Sequence, residues 1–248
     1  MGVISRSGAM NIHLQDIYIA ERLHVSKLDI AAGTLTHIIG QNGAGKSTLL
    51  HVIAGLISSE SLHAEMTISD IPPAHIAAHR CCLTQHNDSV FGLTVAELFR
   101  FYTPFAFAPE SIDNVLQVNQ YQARLLRELS GGQQQRVHIA RCMMQIWEAI
   151  EQGRGVLLFD EPFDALDLAY QIKWLACLHD LQQLGNIIVI AHHQLAWLNE
   201  CPDDDVLIMQ DGQVQAHGKI AATWQPECLT QYFHILEQHI PLYLQSSS

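Results

Sequence analysis

The chain has 248 residues, which suits one large domain or one domain with a substantial insertion. Its formal net charge of −12 argues against a nucleic-acid-binding protein, because such proteins present clustered Lys and Arg. No apolar run approaches the roughly 20 residues of a transmembrane helix, and the N-terminus lacks the apolar centre of a signal peptide. We therefore expect a cytosolic domain that begins near Met10, after a loose N-terminal extension.

The first third of the chain alternates apolar runs with a helical pattern. Residues 10–20 alternate apolar and polar side chains, which predicts an amphipathic strand. Residues 36–40 predict a short apolar strand that ends at a glycine, and helical periodicity follows over 46–56. Residues 80–85 predict another strand.

The middle of the chain changes character and becomes helical from about residue 87 to residue 150, which predicts an inserted helical subdomain. Within it, residues 110–129 predict one helix. Residues 155–159 then predict a buried strand, and residues 165–185 predict a helix with Gly185 at its C-terminal end.

Residues 186–193 contain the next apolar run, and residues 205–218 predict a hairpin that turns at Asp211 and Gly212. Strands that alternate with helices favour an α/β fold with a largely parallel sheet. No internal repeat interrupts this order.

A phosphate-binding motif lies between a predicted strand and a predicted helix. Its sequence, GQNGAGKST, fits the pattern G-x-x-x-x-G-K-[ST], and its glycines let backbone N–H groups face phosphates. The predicted nucleotide ligands are Gly40, Gln41, Asn42, Gly43, Ala44, Gly45, Lys46, Ser47 and Thr48. Lys46 should reach the β- and γ-phosphates, and Ser47 should hold Mg²⁺. The alternative is an ordinary glycine turn before a helix.

Two adjacent acids, Asp160 and Glu161, end the buried strand predicted at 155–159. Parallel sheets place ligand-binding groups at this end of their strands. We therefore expect Asp160 to bind Mg²⁺ and Glu161 to polarise the attacking water. Two ordinary surface acids are disfavoured here, because a buried strand rarely ends in adjacent carboxylates without a partner cation.

With both nucleotide motifs present, the sequence LSGGQ at residues 129–133 completes a set that resembles the ATP-binding subunits of ABC transporters. The resemblance extends from about Met10 to His239. It also includes Gln85, the D-loop sequence DALD at 164–167, and His192 after a strand. It implies a P-loop NTPase fold with a mostly parallel core sheet, an antiparallel β subdomain and the helical subdomain, all within one ATP-binding domain.

The resemblance implies how these residues act. Gln85 would contact Mg²⁺ and serve catalysis, and His192 would contact the γ-phosphate of ATP. In a head-to-tail homodimer, the signature loop of one subunit would close over the ATP bound by the other. The signature residues are Ser130, Gly131, Gly132 and Gln133, which precede a predicted helix and so can present N–H groups to a phosphate. His192 corresponds to the histidine that the family calls the switch histidine. The family often has aspartate at the next position, whereas this chain has His193.

Three patterns leave alternatives open. Tyr18 either stacks on adenine, as an aromatic upstream of the phosphate loop often does in this family, or is buried by strand alternation. His75 and His79 either face a metal or are exposed, and exposure is favoured because no third ligand is apparent. The aromatic residues of 91–107 either fill the core of the helical subdomain or line a groove for a membrane partner.

Among ABC ATPases, the closest resemblance is to the ATPase subunits of bacterial cobalamin importers, followed by those of ferric-siderophore and haem importers. Three features carry it: a short segment before the phosphate loop, the length of residues 80–95, and the insert over 145–162. It implies polytopic membrane permease partners, an indirect periplasmic substrate-binding protein, and a peripheral position on the cytoplasmic face of the inner membrane. A soluble ABC-type ATPase that acts on nucleic acids or protein assemblies is the alternative.

Overall fold

The structure is a computed structural model, and it describes residues 10–58, 60, 65–85, 92–233, 235 and 237–239. The extension predicted before Met10, Phe91 of the aromatic segment and the last residues of the chain lie outside this described part. Within the described part, none of the helices combines the length and hydrophobicity that a membrane-spanning segment needs.

The strands that the structure describes form one mixed sheet. They are β1 (Ile12–Ile19), β2 (Leu23–Ile30), β3 (Leu35–Ile39), β4 (Glu65–Ile68), β5 (Arg80–Leu83), β6 (Val156–Asp160), β7 (Ile187–Ala191), β8 (Asp205–Gln210) and β9 (Gln213–Lys219). Their order across the sheet is β4–β1–β2–β9–β8–β3–β7–β6–β5. The run from β8 to β5 is parallel, whereas β1 pairs antiparallel with β2 and β4, and β8 pairs antiparallel with β9. The predicted fold is therefore confirmed.

Helices cover the sheet and fill the connections. They are α1 (Lys46–Ile53), α2 (Val95–Tyr102), α3 (Glu110–Leu116), α4 (Gly131–Met144), α5 (Trp147–Glu151), α6 (Leu168–Gln183), α7 (Trp197–Glu200), α8 (Ile220–Thr223) and α9 (Pro226–Phe233). Helices α2 to α5 lie between β5 and β6 in the chain, as the helical pattern predicts.

The burial of each strand reflects its place in the sheet. Every residue of β3, β6 and β7 is buried, because these parallel strands are covered on both faces. Strands β1 and β2 instead alternate buried and exposed side chains, which is typical of strands with one solvent-facing side. The hairpin between β8 and β9 turns at Asp211 and Gly212, and both have positive φ, 48° and 74°. Such a two-residue turn suits this sequence.

The single helix predicted over 110–129 is wrong. Helix α3 ends at Leu116, and Gln117 adopts a left-handed conformation with φ of 51°. The side chain of Asn119 accepts a hydrogen bond from the N–H of Ala108 and donates one to its carbonyl oxygen, at 2.8 and 3.0 Å. Polar side chains that bond the backbone in this way compete with helical hydrogen bonds.

We predict that His138, on helix α4, makes the domain sensitive to acid. It is buried, and neither ring nitrogen has a hydrogen-bond partner in the described part of the chain. Burial, together with the smaller effect of the nearby Arg141 charge, lowers the pKa of His138 from 6.5 to about 4. The folded state therefore binds fewer protons than the unfolded state in this window, so stability is lost as the pH falls from 6.5 towards 4.

The contribution of His138 to this loss should reach about 3 kcal/mol at the acid end of the window. Urea denaturation at a series of pH values should show a shallower loss of stability for His138→Leu than for the wild type. Equal slopes for the two proteins would contradict this assignment.

Candidate nucleotide-binding site

The phosphate loop connects β3 to α1, and its glycines adopt backbone conformations that other residues avoid. Gly43 and Gly45 have φ of 84° and 96°, and Gly45 directly precedes the first turn of α1. A Cβ atom at Gly45 would lie 2.9 Å from the carbonyl oxygen of Arg22. The loop therefore has room for a ligand on one side and close backbone packing on the other.

Lys46 lies at the buried end of this loop. Its Nζ donates hydrogen bonds to the carbonyl oxygens of Gly40 and Gln41, at 2.9 and 3.3 Å. Burial lowers the pKa of the Lys46 ammonium, and the carboxylates of Glu161 and Asp160 partly offset this effect. The site thus holds a desolvated cation that an anionic ligand would stabilise.

Two adjoining cavities surround the loop. The first has a volume of about 550 Å³ and is lined by Arg22, Asn42, Gly43, Ala44, Gly45, Lys46, Ser47, Thr48, Gln85 and Glu161. The second has a volume of about 370 Å³ and is lined by Gly40, Gln41, Asn42, Gln85, Glu161, Asp164, His193, Leu195 and Phe233. Asn42, Gln85 and Glu161 line both cavities. The structure therefore brings the predicted phosphate loop together with Gln85 and Glu161.

Asp160 ends β6 beside Ser47. Its carboxylate accepts a hydrogen bond from the Ser47 side chain, and Oδ1 is buried without a partner among the described residues. Burial raises the pKa of Asp160, and the hydrogen bond from Ser47 opposes that shift. The Ser47 hydroxyl, the unpaired Asp160 carboxylate oxygen and the amide oxygen of Gln85, which lines the same cavity as Ser47, are hard oxygen donors of the kind that Mg²⁺ prefers. These residues therefore fit the predicted metal.

Glu161 follows Asp160 with an unusual backbone. Its φ is 47°, and its N–H donates to the carbonyl oxygen of Ala191 at 2.9 Å. The Glu161 side chain is only 9% exposed, and its Oε2 lies 3.0 Å from Nδ1 of His193. Burial raises the pKa of Glu161, and the charge of His193 opposes this shift. The carboxylate is thus partly desolvated and fixed at the cavity wall, a suitable position for polarising a water molecule.

His192 lines neither of these two cavities, so its predicted contact with the γ-phosphate stays a prediction. Its ring is fully buried, with Nε2 2.9 Å from Nδ1 of His37. Burial and the neighbouring His37 hold the pKa of His192 well below its usual range. His193, which follows it, lines the second cavity beside Glu161. Strand β7 is buried on both sides, so no alternation in the sequence indicates which histidine faces the ligand.

A buried chain of hydrogen bonds extends from His192 to the surface. The N–H of Gln194 donates to Nδ1 of His192 at 3.2 Å, so the His192 proton lies on Nε2 and is donated to His37. His37 then donates from its own Nε2 to Oδ2 of Asp204 at 3.1 Å, and the same oxygen accepts from His179 at 2.8 Å. Each hydrogen bond of this chain has one donor and one acceptor, which explains how these polar groups are tolerated in the core.

The signature residues line a different cavity. Ser130 caps α4: the N–H of Gln133 donates to Ser130 Oγ, and the N–H of Ser130 donates to Gln133 Oε1 at 3.0 Å. The cavity has a volume of about 310 Å³ and is lined by Ser130, Gly132, Gln133, Arg136, Ala165, Leu166, Asp167 and Tyr170. It shares none of these described residues with the cavity that contains Lys46. A Cβ at Gly131 would meet no atom within 4 Å, so the loop is open to an incoming group.

The remaining candidates also have defined positions. Tyr18 is 48% exposed, so it is not buried, and its ring contacts that of His24 edge to face. It does not line the cavity around Lys46. Arg22 lines that cavity instead, and sequence reasoning missed it. His79 donates from Nδ1 to the carbonyl oxygen of His75 at 3.0 Å, and among the described residues neither belongs to a cluster of three metal-ligating groups.

The aromatic segment divides between core and surface. Phe99 is fully buried, whereas Phe101 and Phe107 are 75% and 60% exposed. Tyr102 is also exposed, and the guanidinium of Arg141 lies over its ring, 4.5 Å from the centroid. Phe99 therefore belongs to the core of the helical subdomain, whereas a groove for a membrane partner at the exposed rings stays a prediction.

Comparison with known proteins agrees with this site. A sequence profile of the family described as ABC transporter matches residues 23–164. That match covers more than half of the chain, so the chain belongs to the ABC transporter family and is an ATPase of it.

Two of the similar proteins are ATP-binding subunits of importers. The vitamin B12 import ATP-binding protein BtuD of Yersinia pseudotuberculosis serotype I (strain IP32953) is 30% identical over 91% of this chain and 92% of its own length. The hemin import ATP-binding protein HmuV of Rhodopseudomonas palustris (strain HaA2) is 32% identical over 87% of this chain and 86% of its own. A solved ATP-binding subunit of an ABC transporter has a TM-score of 0.70 at 19% identity, covering 95% of this chain and 99% of that one.

Proposed function

We propose that this chain is the ATP-hydrolysing motor subunit of a bacterial ABC importer for vitamin B12. The observation that carries the proposal is that the phosphate loop, Gln85 and Glu161 line one cavity and that Asp160 is hydrogen-bonded to Ser47 of that loop. The chain is also similar over 91% of its length to a vitamin B12 import ATP-binding protein. One ATP-binding domain would span residues 10–240, with residues 87–150 as its helical subdomain.

Each residue of the site has a defined role in this proposal. The backbone N–H groups of the phosphate loop and the Lys46 ammonium bind the phosphates of ATP. Ser47, Asp160 and Gln85 would hold Mg²⁺, which would neutralise charge on the phosphates. Glu161 orients and polarises the attacking water. His193, rather than His192, faces the γ-phosphate, since it is the histidine that lines the cavity.

Hydrolysis requires a second copy of the chain. The signature cavity and the phosphate-loop cavity share none of the described residues, which supports a head-to-tail homodimer with composite ATP sites. Ser130, Gly131, Gly132 and Gln133 of one subunit would bind the γ-phosphate held by the other, at the N-terminus of α4. ATP binding would then favour the closed dimer, and hydrolysis would release it.

The exposed aromatic side chains of the helical subdomain support a membrane partner. Phe101, Tyr102 and Phe107 expose apolar surface in the segment that follows Gln85, where a cytoplasmic helix of a polytopic permease could bind. Two permease subunits would hold the dimer at the cytoplasmic face of the inner membrane, and a periplasmic binding protein would act through them. An importer of ferric siderophores or haem is the second candidate, supported by the similarity to the hemin import protein.

Replacing the two neighbouring histidines should separate catalysis from stability. His193→Ala should lower the ATPase rate by about 100-fold with little change in stability, because it removes a polar contact to the γ-phosphate from a side chain that is 57% exposed. His192→Ala should destabilise the domain by about 1–3 kcal/mol, because it leaves His37 without a buried partner. ATPase assays and urea denaturation of both variants measure the two effects. An inactive but stable His192→Ala beside an active His193→Ala would contradict the assignment.

Copurification tests the transport role. The tagged chain, expressed in its native cells and purified from membranes in mild detergent, should bring a polytopic membrane protein with it. Phe101→Ser and Phe107→Ser test whether the exposed aromatic surface binds the membrane protein. These variants should no longer copurify with it, whereas the isolated variants should still bind ATP. A chain that is recovered alone, with an ATPase stimulated by nucleic acid, would favour the soluble alternative.

A further inference from the structure

A cluster of metal-ligating side chains lies in the core, where β3, helix α6 and the turn before β8 meet. It consists of His37, Cys201 and Asp204, and all three are buried. Each side chain offers one ligand atom, and these atoms lie within 4.8 Å of one another. None of the three lines the two cavities around the phosphate loop. The cluster therefore belongs to no nucleotide motif.

The local fold brings these three residues together. Cys201 and Asp204 are the ends of a tight turn, in which the N–H of Asp204 donates to the carbonyl oxygen of Cys201 at 3.1 Å. The turn leads into β8, which pairs with β3 so that Val206 lies opposite His37. As a result, His37 Nε2 lies 3.1 Å from Asp204 Oδ2, and the Cys201 thiol is hydrogen-bonded to the same carboxylate. Strand pairing and a turn therefore fix the spacing of the three side chains.

Asp204 is a buried carboxylate whose charge is compensated by histidine rings alone. It is 3% exposed, and in the part of the chain that the structure describes its ion-pair partners are His37 and His179. The His37 ring is neutral, because its Nδ1 accepts from His192 while its Nε2 donates to Asp204. His179 carries charge only when it is protonated. A bound divalent cation would supply the charge that a buried carboxylate otherwise lacks.

A cavity on the open side of the cluster gives an ion access to it. This cavity has a volume of about 660 Å³, lies between α6 and α7, and includes His179 and Cys201 in its lining. His179 Nε2 donates to Asp204 Oδ2 at 2.8 Å, and its side chain is 33% exposed. Outer hydrogen bonds of this kind orient carboxylates that bind metals. His179 would therefore hold Asp204 in place, and the cavity would admit a water molecule as a further ligand.

We propose that His37, Cys201 and Asp204 form a binding site for Zn²⁺. A thiolate, an imidazole and a carboxylate are ligands that Zn²⁺ accepts together, whereas Mg²⁺ prefers oxygen ligands alone. Three protein ligands with water in the fourth position are typical of open zinc sites. The inference does not rest on the proposed transport function, because the cluster is separate from the residues that would bind ATP.

Binding of the ion moves protons in a defined way. The thiol proton of Cys201 is released to solvent as the thiolate binds Zn²⁺. Nε2 of His37 also binds, so the proton of that ring moves to Nδ1 and the hydrogen bond between His37 and His192 reverses its direction. His192 then carries its proton on Nδ1, which can no longer accept from the N–H of Gln194. The ion would thereby free Gln194, the neighbour of His193 at the second nucleotide cavity.

Titrations of the full-length, metal-free chain with Zn²⁺ and Co²⁺ test the site. The chain should bind one Zn²⁺, and calorimetry in buffers of different ionisation enthalpy should show one proton released per ion. Bound Co²⁺ should show the charge-transfer absorption of a thiolate ligand. Cys201→Ser should lose this absorption and should weaken Zn²⁺ binding by about 100-fold or more, which exceeds the usual cost of losing an outer hydrogen bond. Its hydroxyl can still donate to Asp204, so the fold should be retained.

Two further variants serve as references for Cys201→Ser. Cys177→Ser removes a thiol of α6 that is outside the cluster, and it should bind Zn²⁺ like the wild type. His179→Gln keeps a hydrogen-bond donor towards Asp204 and should weaken Zn²⁺ binding by about tenfold or less. In the wild type, ¹⁵N spectra of the histidine rings should show that His37 and His192 exchange tautomers when Zn²⁺ binds.

The outcomes distinguish this inference from the proposed function. A wild type that binds no Zn²⁺ at micromolar concentration would overturn the inference, and so would equal binding by Cys201→Ser and Cys177→Ser. Unchanged tautomers of His37 and His192 with Zn²⁺ bound would also overturn it, because the ion would then lie elsewhere; this readout needs no variant. Binding of Mg-ATP by the metal-free chain tests the proposed function separately, and its failure would leave the zinc site standing.

Discussion

Glu161→Gln is expected to slow ATP hydrolysis by about 10²–10⁴-fold while ATP binding is retained, the range typical of losing a general base. The amide keeps the size of the carboxylate and can still accept the hydrogen bond from His193, but it cannot polarise water. Glu161 lines both cavities of the site. Its burial restricts the side chain and raises the pKa of its carboxyl group. The loss should therefore affect turnover and not the binding constant.

The same variant should accumulate as an ATP-bound dimer, because the step that opens the dimer is blocked. Steady-state ATPase assays and size-exclusion chromatography with ATP measure the two effects. Glu151→Gln, on the exposed side of α5, is the matched control and should behave like the wild type in both assays. Turnover by Glu161→Gln near the wild-type rate would show that another group activates the water.

Ser130→Arg is expected to abolish the ATP-dependent dimer and to lower the ATPase rate by about 100-fold or more, because the γ-phosphate loses its partner across the interface. ATP binding by the isolated subunit should be unchanged, since the signature cavity does not include the phosphate loop. Equilibrium binding, chromatography with ATP and turnover measure these three properties.

Ser130→Ala separates the interface from the helix cap. It removes the oxygen that caps α4, which costs about 1 kcal/mol of stability, but it adds no bulk to the loop. We expect it to form the ATP-dependent dimer and to hydrolyse ATP faster than Ser130→Arg. A dimer formed equally well by Ser130→Arg and the wild type would contradict the composite site.

The phosphate loop and the acidic pair could be predicted from sequence because their geometry is local. A strand, a glycine-rich turn and a helix start determine where residues 40–48 lie, and the end of a buried strand determines where Asp160 lies. The parallel orientation of β5, β6, β7 and β3 follows from the alternation of strands and helices, whereas their order across the sheet does not.

Arg22 and His193 could not be predicted because their places depend on tertiary structure. Arg22 directly precedes β2, and the apolar–polar alternation of β2 is interrupted at Ser26 and Lys27. This interruption weakens the sequence pattern that would predict the strand and the turn before it. His193 and its buried neighbour differ only in the direction that β7 gives each side chain, and that direction is set by the register with β3 and β6. The end of α3 likewise depends on contacts of Asn119 with Ala108.

The central claim is that this ATPase powers vitamin B12 import, and the ATPase rate of the purified membrane complex tests it most directly. The complex would be assayed with its periplasmic binding protein alone and then with that protein loaded with vitamin B12, haem or a ferric chelate, with a Glu161→Gln complex as the blank. We expect the vitamin B12-loaded protein to stimulate hydrolysis, and we expect no stimulation by the protein loaded with haem or an iron chelate. Stimulation by haem or a ferric chelate without any response to vitamin B12 would contradict it.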